Sequence, residues 1–122
     1  MPKKILVVDD EVDIAFLIKR RLMKNGYEVI MAHNGVNALA LAKKERPDLM
    51  ILDVMMPEPN GLQVCRMLKF DPQYQSIKII LLTARDQQKD KDLGQAVKAD
   101  QYVTKPFEPD DLLLKVQALL GE

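Results

Sequence analysis

Three aspartates that directly follow apolar runs carry the most distinctive chemistry in this sequence. Asp9 and Asp10 follow the run 5–8, and Asp53 follows the run 49–52. Two carboxylates about 4 Å apart repel each other by roughly 4 kcal/mol at an effective dielectric constant near 20, so a cluster of such groups needs a cation. The available ligands are hard oxygen atoms, which favours Mg²⁺ or a similar divalent ion over zinc or copper.

A hydroxyl and an ammonium group also end apolar runs, and they point to phosphoryl chemistry. Thr83 follows the run 77–82, and Lys105 follows the run that begins at Tyr102. A divalent ion beside Asp53, with these two groups nearby, could stabilise a transferring phosphoryl group. Asp53 would be the nucleophile, because a carboxylate needs no general base at neutral pH. A solvated acidic rim that caps helices is the alternative for Asp9 or Glu11 taken singly, and Lys105 argues against it for the whole set.

The elements that must position these side chains are predicted from the apolar periodicity. Strands are predicted at five runs: 5–8, 27–32, 49–52, 77–82 and 102–103. The first, third and fourth are almost continuously apolar, which is typical of parallel strands covered by helices on both faces. The intervening segments have helical spacing, with Asn34 as a predicted N-cap. The last helix is the clearest, since Pro109 suits its first turn and Gly121 follows its last apolar residue.

Alternation of strands and helices predicts an α/β fold with a doubly wound, five-stranded parallel sheet and five helices in a three-layer sandwich. The whole chain, residues 1–122, is predicted to be one domain, because its length suits one compact core. In such sheets, ligands bind at the carboxyl ends of the strands. The predicted fold therefore collects the carboxylates, the hydroxyl and the ammonium group at one edge.

Composition narrows the classes of function. The 18 basic and 18 acidic residues cancel, so no global field favours nucleic acid or an anionic membrane. The single cysteine, Cys65, fits a reducing compartment and is expected to be buried. The apolar run after the N-terminus is too short for a signal peptide, and no run is long enough to span a membrane, so a cytoplasmic protein is expected. The only histidine, His33, is expected to be a surface residue.

Four motifs in order, each at a predicted strand end, resemble the receiver domains of two-component response regulators, including the chemotaxis regulators. The motifs are Val7-Val8-Asp9-Asp10-Glu11, Leu52-Asp53-Val54-Met55-Met56-Pro57 with Gly61, Leu82-Thr83-Ala84, and Tyr102-Val103-Thr104-Lys105-Pro106-Phe107. Each motif alone is common. Together they cover nearly the whole chain and are specific. The resemblance implies a flavodoxin-like sandwich with strand order 2-1-3-4-5.

The resemblance also implies a magnesium site and a phosphoacceptor. Asp9 and Asp10 would organise Mg²⁺, and Asp53 and the backbone carbonyl of Met55 would complete its protein ligands. Asp53 would accept a phosphoryl group from a sensor histidine kinase or a histidine phosphotransfer protein. Such a domain is not a conventional enzyme, since it catalyses only its own phosphorylation and slow dephosphorylation.

Further implied features concern the switch. Thr83 and Lys105 would hold the phosphoryl oxygens, and Tyr102 would change rotamer as Thr83 moves. The Lys105–Pro106 peptide bond resembles the cis bond of the family. The altered surface would be that of the fourth helix, fifth strand and fifth helix.

The output is not visible in the sequence. The chain is either a stand-alone regulator with a downstream protein target or a receiver normally linked to an output domain. A homodimer through the switching surface is compatible with its mixed charges, and direct binding to nucleic acid or membrane is not expected.

Departures from the family pattern lie at three places. Lys98 occupies a position that is usually glycine, so either its backbone is left-handed at a cost of roughly 1 kcal/mol or the turn differs. Pro59 should stiffen the loop after Asp53. Arg85 and Met55 are not water-orienting acids or amides, which predicts slow self-dephosphorylation.

Other classes fit less well. A flavin carrier would need a Ser/Thr/Gly-rich phosphate loop where Asp9, Asp10 and Glu11 stand. An aspartyl-phosphate hydrolase would carry its nucleophile after the first strand, with a second acid two residues on and a cap domain. The main alternative is a degenerate receiver that acts as a constitutive protein-interaction module.

Overall fold

Five parallel strands form a single sheet in this computed structural model, which describes residues 2–84 and 95–122. The strands are β1 (Lys4–Val8), β2 (Glu28–Ala32), β3 (Leu49–Asp53), β4 (Lys78–Ala84) and β5 (Gln101–Lys105). Their spatial order is β2-β1-β3-β4-β5. The predicted α/β class and the strand order 2-1-3-4-5 are therefore confirmed.

Helices cover both faces of the sheet. They are α1 (Val12–Lys24), α2 (Gly35–Glu45), α3 (Gly61–Lys69) and the last helix (Pro109–Leu120). Four of the five predicted helices are thus described, and the remaining one would fall largely on residues 85–94, outside the described residues. Within the two described ranges, no helix combines the length and the apolar character needed to cross a membrane.

The apolar strands serve two cores because successive side chains of a strand point to opposite faces of the sheet. One core includes Leu6, Val8, Met50, Leu52, Ile79 and Leu81 from the strands, with Ala38, Ala42, Val64 and Leu68 from α2 and α3. The other includes Ile5, Val7, Leu49, Ile51, Ile80 and Leu82, with Ile18, Leu22, Leu112 and Val116 from α1 and the last helix. Every residue of β3 is buried, as expected for a central strand.

Local signals at the helix ends match the structure. The Asn34 side chain accepts a 2.8 Å hydrogen bond from the Asn37 amide, so its predicted N-cap role is confirmed. Pro109 stands in the first turn of the last helix, and Gly121 ends that helix in the left-handed conformation, with φ of 75°. Asn34 and Pro109 mark where α2 and the last helix begin, and these starts set the length of the loops that follow β2 and β5 at the carboxyl edge of the sheet.

Candidate functional site

Three carboxylates meet at the carboxyl edge of the sheet. Asp9 directly follows β1, and Asp53 is the last residue of β3, the neighbouring strand. Each of Asp9, Asp10 and Asp53 offers an oxygen atom within 4.8 Å of the others. Asp9 and Asp53 are buried, with 0% and 1% of their surface exposed, whereas Asp10 is exposed. Two of the charges are thus removed from water, and the third lies at the opening of the site.

Lys105, the last residue of β5, supplies the opposite charge. Its Nζ lies 2.8 Å from Asp9 Oδ2, 3.3 Å from Asp53 Oδ2 and 3.4 Å from Glu11 Oε1. Burial lowers the pKa of Lys105, but its hydrogen bond to Asp9 and the charges of Asp53 and Asp9 outweigh that effect, so the pKa lies above its ordinary value. Lys105 is therefore an ammonium group that bridges two buried carboxylates.

The positive charge of Lys105 does not fully balance the negative charge of the carboxylate cluster. Burial and the nearby charge of Asp9 raise the pKa of Asp53 to about 6, although the Met55 amide and Lys105 act in the opposite direction. A carboxyl group with a raised pKa binds a proton more readily than usual because its anion lacks sufficient positive charge nearby. The same deficit favours binding of a cation at this position.

The loop after β3 holds Asp53 in place. The Met55 N–H donates to Asp53 Oδ1 at 3.0 Å, and the Val54 N–H donates to the Leu82 carbonyl at 2.9 Å. The start of α3 approaches from behind, since a Cβ on Gly61 would lie only 2.4 Å from the Asp53 carbonyl oxygen. Glycine at this position lets α3 pack directly on the backbone of the candidate nucleophile.

Thr83 brings an unused hydroxyl to the same edge. The side chain is fully buried near the end of β4, and its Oγ1 has no hydrogen-bond partner in the part of the chain that the structure describes. A buried hydroxyl without a partner costs free energy, so its presence calls for an explanation. A ligand oxygen bound at the carboxyl edge would supply the missing partner.

The donor set fits a magnesium ion. Magnesium prefers oxygen ligands and is usually held by one or two carboxylates plus waters and phosphate oxygens. Asp9, Asp10 and Asp53 provide carboxylate oxygens within a single small cluster, and Asp10 opens the cluster to solvent. Neither thiolate nor imidazole groups belong to this cluster of described residues, which argues against a zinc-type site.

Two further features implied by the family resemblance are the switch residue Tyr102 and a cis peptide bond before Pro106. Tyr102 is half-buried on β5 against the core beneath α2 and α3. The Lys105–Pro106 peptide bond is cis, and so is the bond between Glu58 and Pro59, which the sequence did not predict.

The structure shows the conformation of some of the residues that depart from the family pattern. Lys98 does adopt a left-handed backbone, with φ of 65°, and its Nζ lies 4.5 Å from the centre of the Phe70 ring. This cation–π contact offsets part of the cost of that conformation. Arg85 lies outside the described residues.

His33 is a site neighbour that the sequence analysis missed. It was expected at the surface, but it is half-buried, and its Nδ1 lies 3.0 Å from the backbone carbonyl oxygen of Asp9. The two residues are 24 positions apart in sequence, and only their positions after neighbouring parallel strands suggest the contact. The register that pairs Val8 with Ala32 brings the residues that follow them together.

A largely apolar cavity of about 560 Å³ opens beside the charged cluster. Asp53 and Lys105 lie at its polar end. Its apolar walls come from α1, from the loop after β5 and from the last helix: Ile14, Leu17, Ile18, Leu22, Pro106, Phe107, Pro109, Leu112 and Leu113. Met55 lines the cavity as well, and the side chains of Leu17 and Met55 are 63% and 65% exposed to solvent. The carboxyl edge of the sheet is therefore flanked by a surface suited to contact with another apolar side chain.

Comparison with known proteins places this geometry in a family. The sequence profile of the response regulator receiver domain matches residues 5–117. A curated relative, the alkaline phosphatase synthesis transcriptional regulatory protein PhoP of Bacillus subtilis, is 47% identical over 120 residues. The match covers 98% of this chain and 49% of PhoP, so the chain spans about half the length of that relative.

Solved structures agree in fold and in sequence. A response regulator from Chloroflexus aurantiacus superposes with a TM-score of 0.94 at 34% identity, with both chains covered completely. The Vibrio cholerae chemotaxis protein CheY4 gives a TM-score of 0.91 at 36% identity, over 98% of this chain and 99% of that one. The predicted resemblance is confirmed, and the chain belongs to the response regulator receiver domain family of two-component systems.

Proposed function

We propose that this receiver domain accepts a phosphoryl group on Asp53 from a phosphohistidine protein and passes the signal on through a changed surface. The observation that carries the proposal is the combination, at one sheet edge, of buried Asp53, Lys105 at 3.3 Å from it, and the Thr83 hydroxyl, which has no hydrogen-bond partner among residues 2–84 and 95–122. Each of these groups would have a role in phosphoryl transfer, and the Thr83 hydroxyl, without a partner among the described residues, is not explained by a structural role alone.

In the proposed reaction, an Asp53 carboxylate oxygen attacks the phosphorus atom of a phosphohistidine. The phosphorus–nitrogen bond breaks, the electron pair returns to the imidazole, and an acyl phosphate forms on Asp53. Because the pKa of Asp53 is about 6 without a cation, the group is mainly ionised at neutral pH and needs no general base. Lys105 and Thr83 would then hold oxygens of the new phosphoryl group.

Magnesium would be held by Asp9, Asp10, Asp53 and the carbonyl of Met55, and when bound it would neutralise charge that develops on the phosphoryl oxygens. The chain's own residues prepare the site for it. Lys105 orients Asp9 and Asp53, and the Met55 N–H fixes Asp53 Oδ1. This arrangement holds the nucleophile in one orientation before the phosphodonor arrives.

The phosphodonor would dock over the cavity between α1 and the last helix. Leu17 and Met55 are exposed there and lie beside the opening that leads to Asp53 and Lys105. An apolar helix face on a histidine kinase or a phosphotransfer protein would bury these side chains while it brings its phosphohistidine to the site.

Output would follow from movement of Thr83. Thr83 and Tyr102 lie on neighbouring strands β4 and β5, and the alternation of side chains places both on the α2 and α3 side of the sheet. A shift of Thr83 toward the phosphoryl group would open space for the Tyr102 ring. The surface that would change includes β5, the last helix and the predicted helix between β4 and β5, which falls largely outside the described residues. A downstream protein, a linked output domain or a second copy of the chain would bind this surface.

The direct test is the intact mass of the protein after incubation with acetyl phosphate and acid quench. Wild type should gain one phosphoryl group with MgCl₂ and none with EDTA, and Asp53→Asn should gain none. No adduct on wild type would favour the constitutive interaction module instead. An adduct on Asp53→Asn would refute the assignment of the nucleophile.

Substitution of two equally exposed leucines can distinguish docking of the phosphodonor protein from the phosphoryl-transfer reaction itself. Leu17 and Leu114 are each exposed by 63%, but only Leu17 lines the cavity. With a kinase histidine domain that phosphorylates the wild type, Leu17→Ala should slow transfer at least fivefold, and Leu114→Ala should not. Neither change should affect phosphorylation by acetyl phosphate. Equal transfer rates for the two variants would argue against docking at this cavity.

A further inference from the structure

The backbone of Asp9 is held from the β2 side by two contacts. The Asp9 N–H donates to the Ala32 carbonyl oxygen at 3.2 Å, and the Asp9 carbonyl oxygen lies 3.0 Å from His33 Nδ1. A carbonyl oxygen can only accept a hydrogen bond, so Nδ1 carries the proton and donates it. His33 lies between β2 and α2, and from there its imidazole donates a hydrogen bond to the backbone of Asp9.

This contact acts on the residue pair that presents two of the three carboxylates. The carbonyl that His33 binds belongs to the peptide between Asp9 and Asp10. On the side-chain side, Asp9 Oδ1 accepts from the Glu11 N–H at 2.9 Å and Oδ2 accepts from Lys105 at 2.8 Å. The four polar groups of Asp9 (N–H, carbonyl oxygen, Oδ1 and Oδ2) therefore all have partners, and His33 is the partner of the carbonyl in the Asp9–Asp10 peptide.

We propose that His33 is a positioning residue of the magnesium site, which sets the Asp9–Asp10 peptide through its Nδ1–H bond without binding the ion. The inference rests on the proposed function, because it assigns His33 a role toward the proposed ion. Among the described residues, the cluster with ligand geometry comprises Asp9, Asp10 and Asp53 and does not include His33. Groups that orient metal ligands by hydrogen bonding commonly influence metal affinity.

Side-chain geometry offers a matched pair of variants. The Asn side chain places its amide nitrogen about where histidine has Nδ1, whereas the Gln side chain reaches toward the Nε2 position. His33→Asn should therefore keep the donor to the Asp9 carbonyl, and His33→Gln should lose it. Both variants are neutral and polar at a half-buried position, so they differ mainly in where the donor lies.

The test is a magnesium titration of ¹⁵N-labelled wild type and both variants, followed by amide NMR. His33→Asn should bind Mg²⁺ within about twofold of wild type, and His33→Gln should bind about fivefold more weakly, the worth of one hydrogen bond. In EDTA, the Asp10 amide nitrogen should change its chemical shift in His33→Gln but not in His33→Asn, because its peptide carbonyl has lost a donor. Urea unfolding in EDTA should give similar midpoints for the two variants.

Two failures can be told apart. Equal magnesium affinities and equal Asp10 shifts for the two variants, with normal wild-type binding, would overturn the role of His33 and leave the proposed function standing. No magnesium binding by wild type would overturn the proposed function and, with it, this inference.

Discussion

At the scale of single residues, the unusual feature is a pair of buried carboxylates that share one ammonium group. Asp9 and Asp53 both contact Lys105, and the pKa of Asp53 is nevertheless raised to about 6. The sequence could predict these residues, because polar groups that end apolar strands must meet at one edge of a parallel sheet. It could not predict the His33 contact, or that the Thr83 hydroxyl has no partner within the described part of the chain, because both depend on side-chain orientation in the folded protein.

Asp53→Asn should stabilise the metal-free protein, and increasingly so at higher pH. The folded-state pKa of Asp53 lies above its ordinary value near 3.8 because of burial and Asp9, so wild type loses stability as pH rises from about 4 to about 6. The asparagine variant lacks this loss. In urea titrations with EDTA, its advantage should be about 1–2 kcal/mol larger at pH 7.5 than at pH 4.5.

Asp13→Asn, at an exposed position of α1, controls for the loss of one negative charge. An advantage of Asp53→Asn that does not change with pH, or that equals that of the control, would contradict the raised pKa.

Thr83→Val, which removes the Oγ1 hydroxyl, should slow phosphorylation without lowering stability. Valine keeps the shape of threonine and removes a buried hydroxyl that has no hydrogen-bond partner among the described residues, so stability in EDTA should be unchanged or rise by up to about 1 kcal/mol. Phosphorylation by acetyl phosphate should slow tenfold or more, since one donor to the phosphoryl oxygens is lost. Thr83→Ser should restore the rate. Strong destabilisation by valine would show that the hydroxyl already has a partner.

At the scale of elements, the apolar runs in the sequence located four of the five strands closely and the strand β5 less well. The continuous apolar runs of β1, β3 and β4 overlap the observed strands closely. The prediction for β5 covered residues 102–103, whereas the strand extends over Gln101–Lys105. Four of the five residues of β5 are only partly buried, so polar residues continue this strand, and apolar patterning alone underestimates its length.

Close packing of α3 on β3 gives a prediction for Gly61. A Cβ at this position would meet the Asp53 carbonyl oxygen at 2.4 Å, and backbone cannot move away as a flexible side chain could. Gly61→Ala should therefore destabilise by about 1–3 kcal/mol, although alanine ordinarily favours a helix. Met67→Ala, at an exposed position of the same helix, should be nearly neutral in the same urea titrations. Stabilisation by Gly61→Ala would contradict this packing.

At the scale of the whole molecule, charge is balanced globally and unbalanced locally. The 18 basic and 18 acidic residues cancel, yet three carboxylates and one bridging lysine converge at a single edge. Overall composition describes only the long-range field of the protein, and the charged site was inferred from the residues at the strand ends. The family assignment identifies the kind of domain. PhoP is about twice as long as this chain, so the protein or domain that receives the signal is proposed and does not follow from the family.

Binding of magnesium to this edge should stabilise the whole fold. A ligand that binds only the folded state adds roughly 1 kcal/mol when its concentration is about five times its dissociation constant. The melting temperature of wild type at pH 7.5 should rise with MgCl₂, and the rise should be much smaller in Asp10→Asn. NaCl at matched ionic strength is the control for screening. An equal rise with NaCl would argue against a specific site.

The most direct test of the central claim is to locate the phosphoryl group chemically. The protein is phosphorylated with acetyl phosphate and MgCl₂ and reduced with borohydride, which converts an aspartyl phosphate into homoserine, and is then digested for mass spectrometry. We predict homoserine in place of Asp53 and at no other aspartate. Homoserine in place of Asp9 or Asp10, or a phosphoryl group that resists borohydride, would contradict the assignment of Asp53 as the phosphoacceptor.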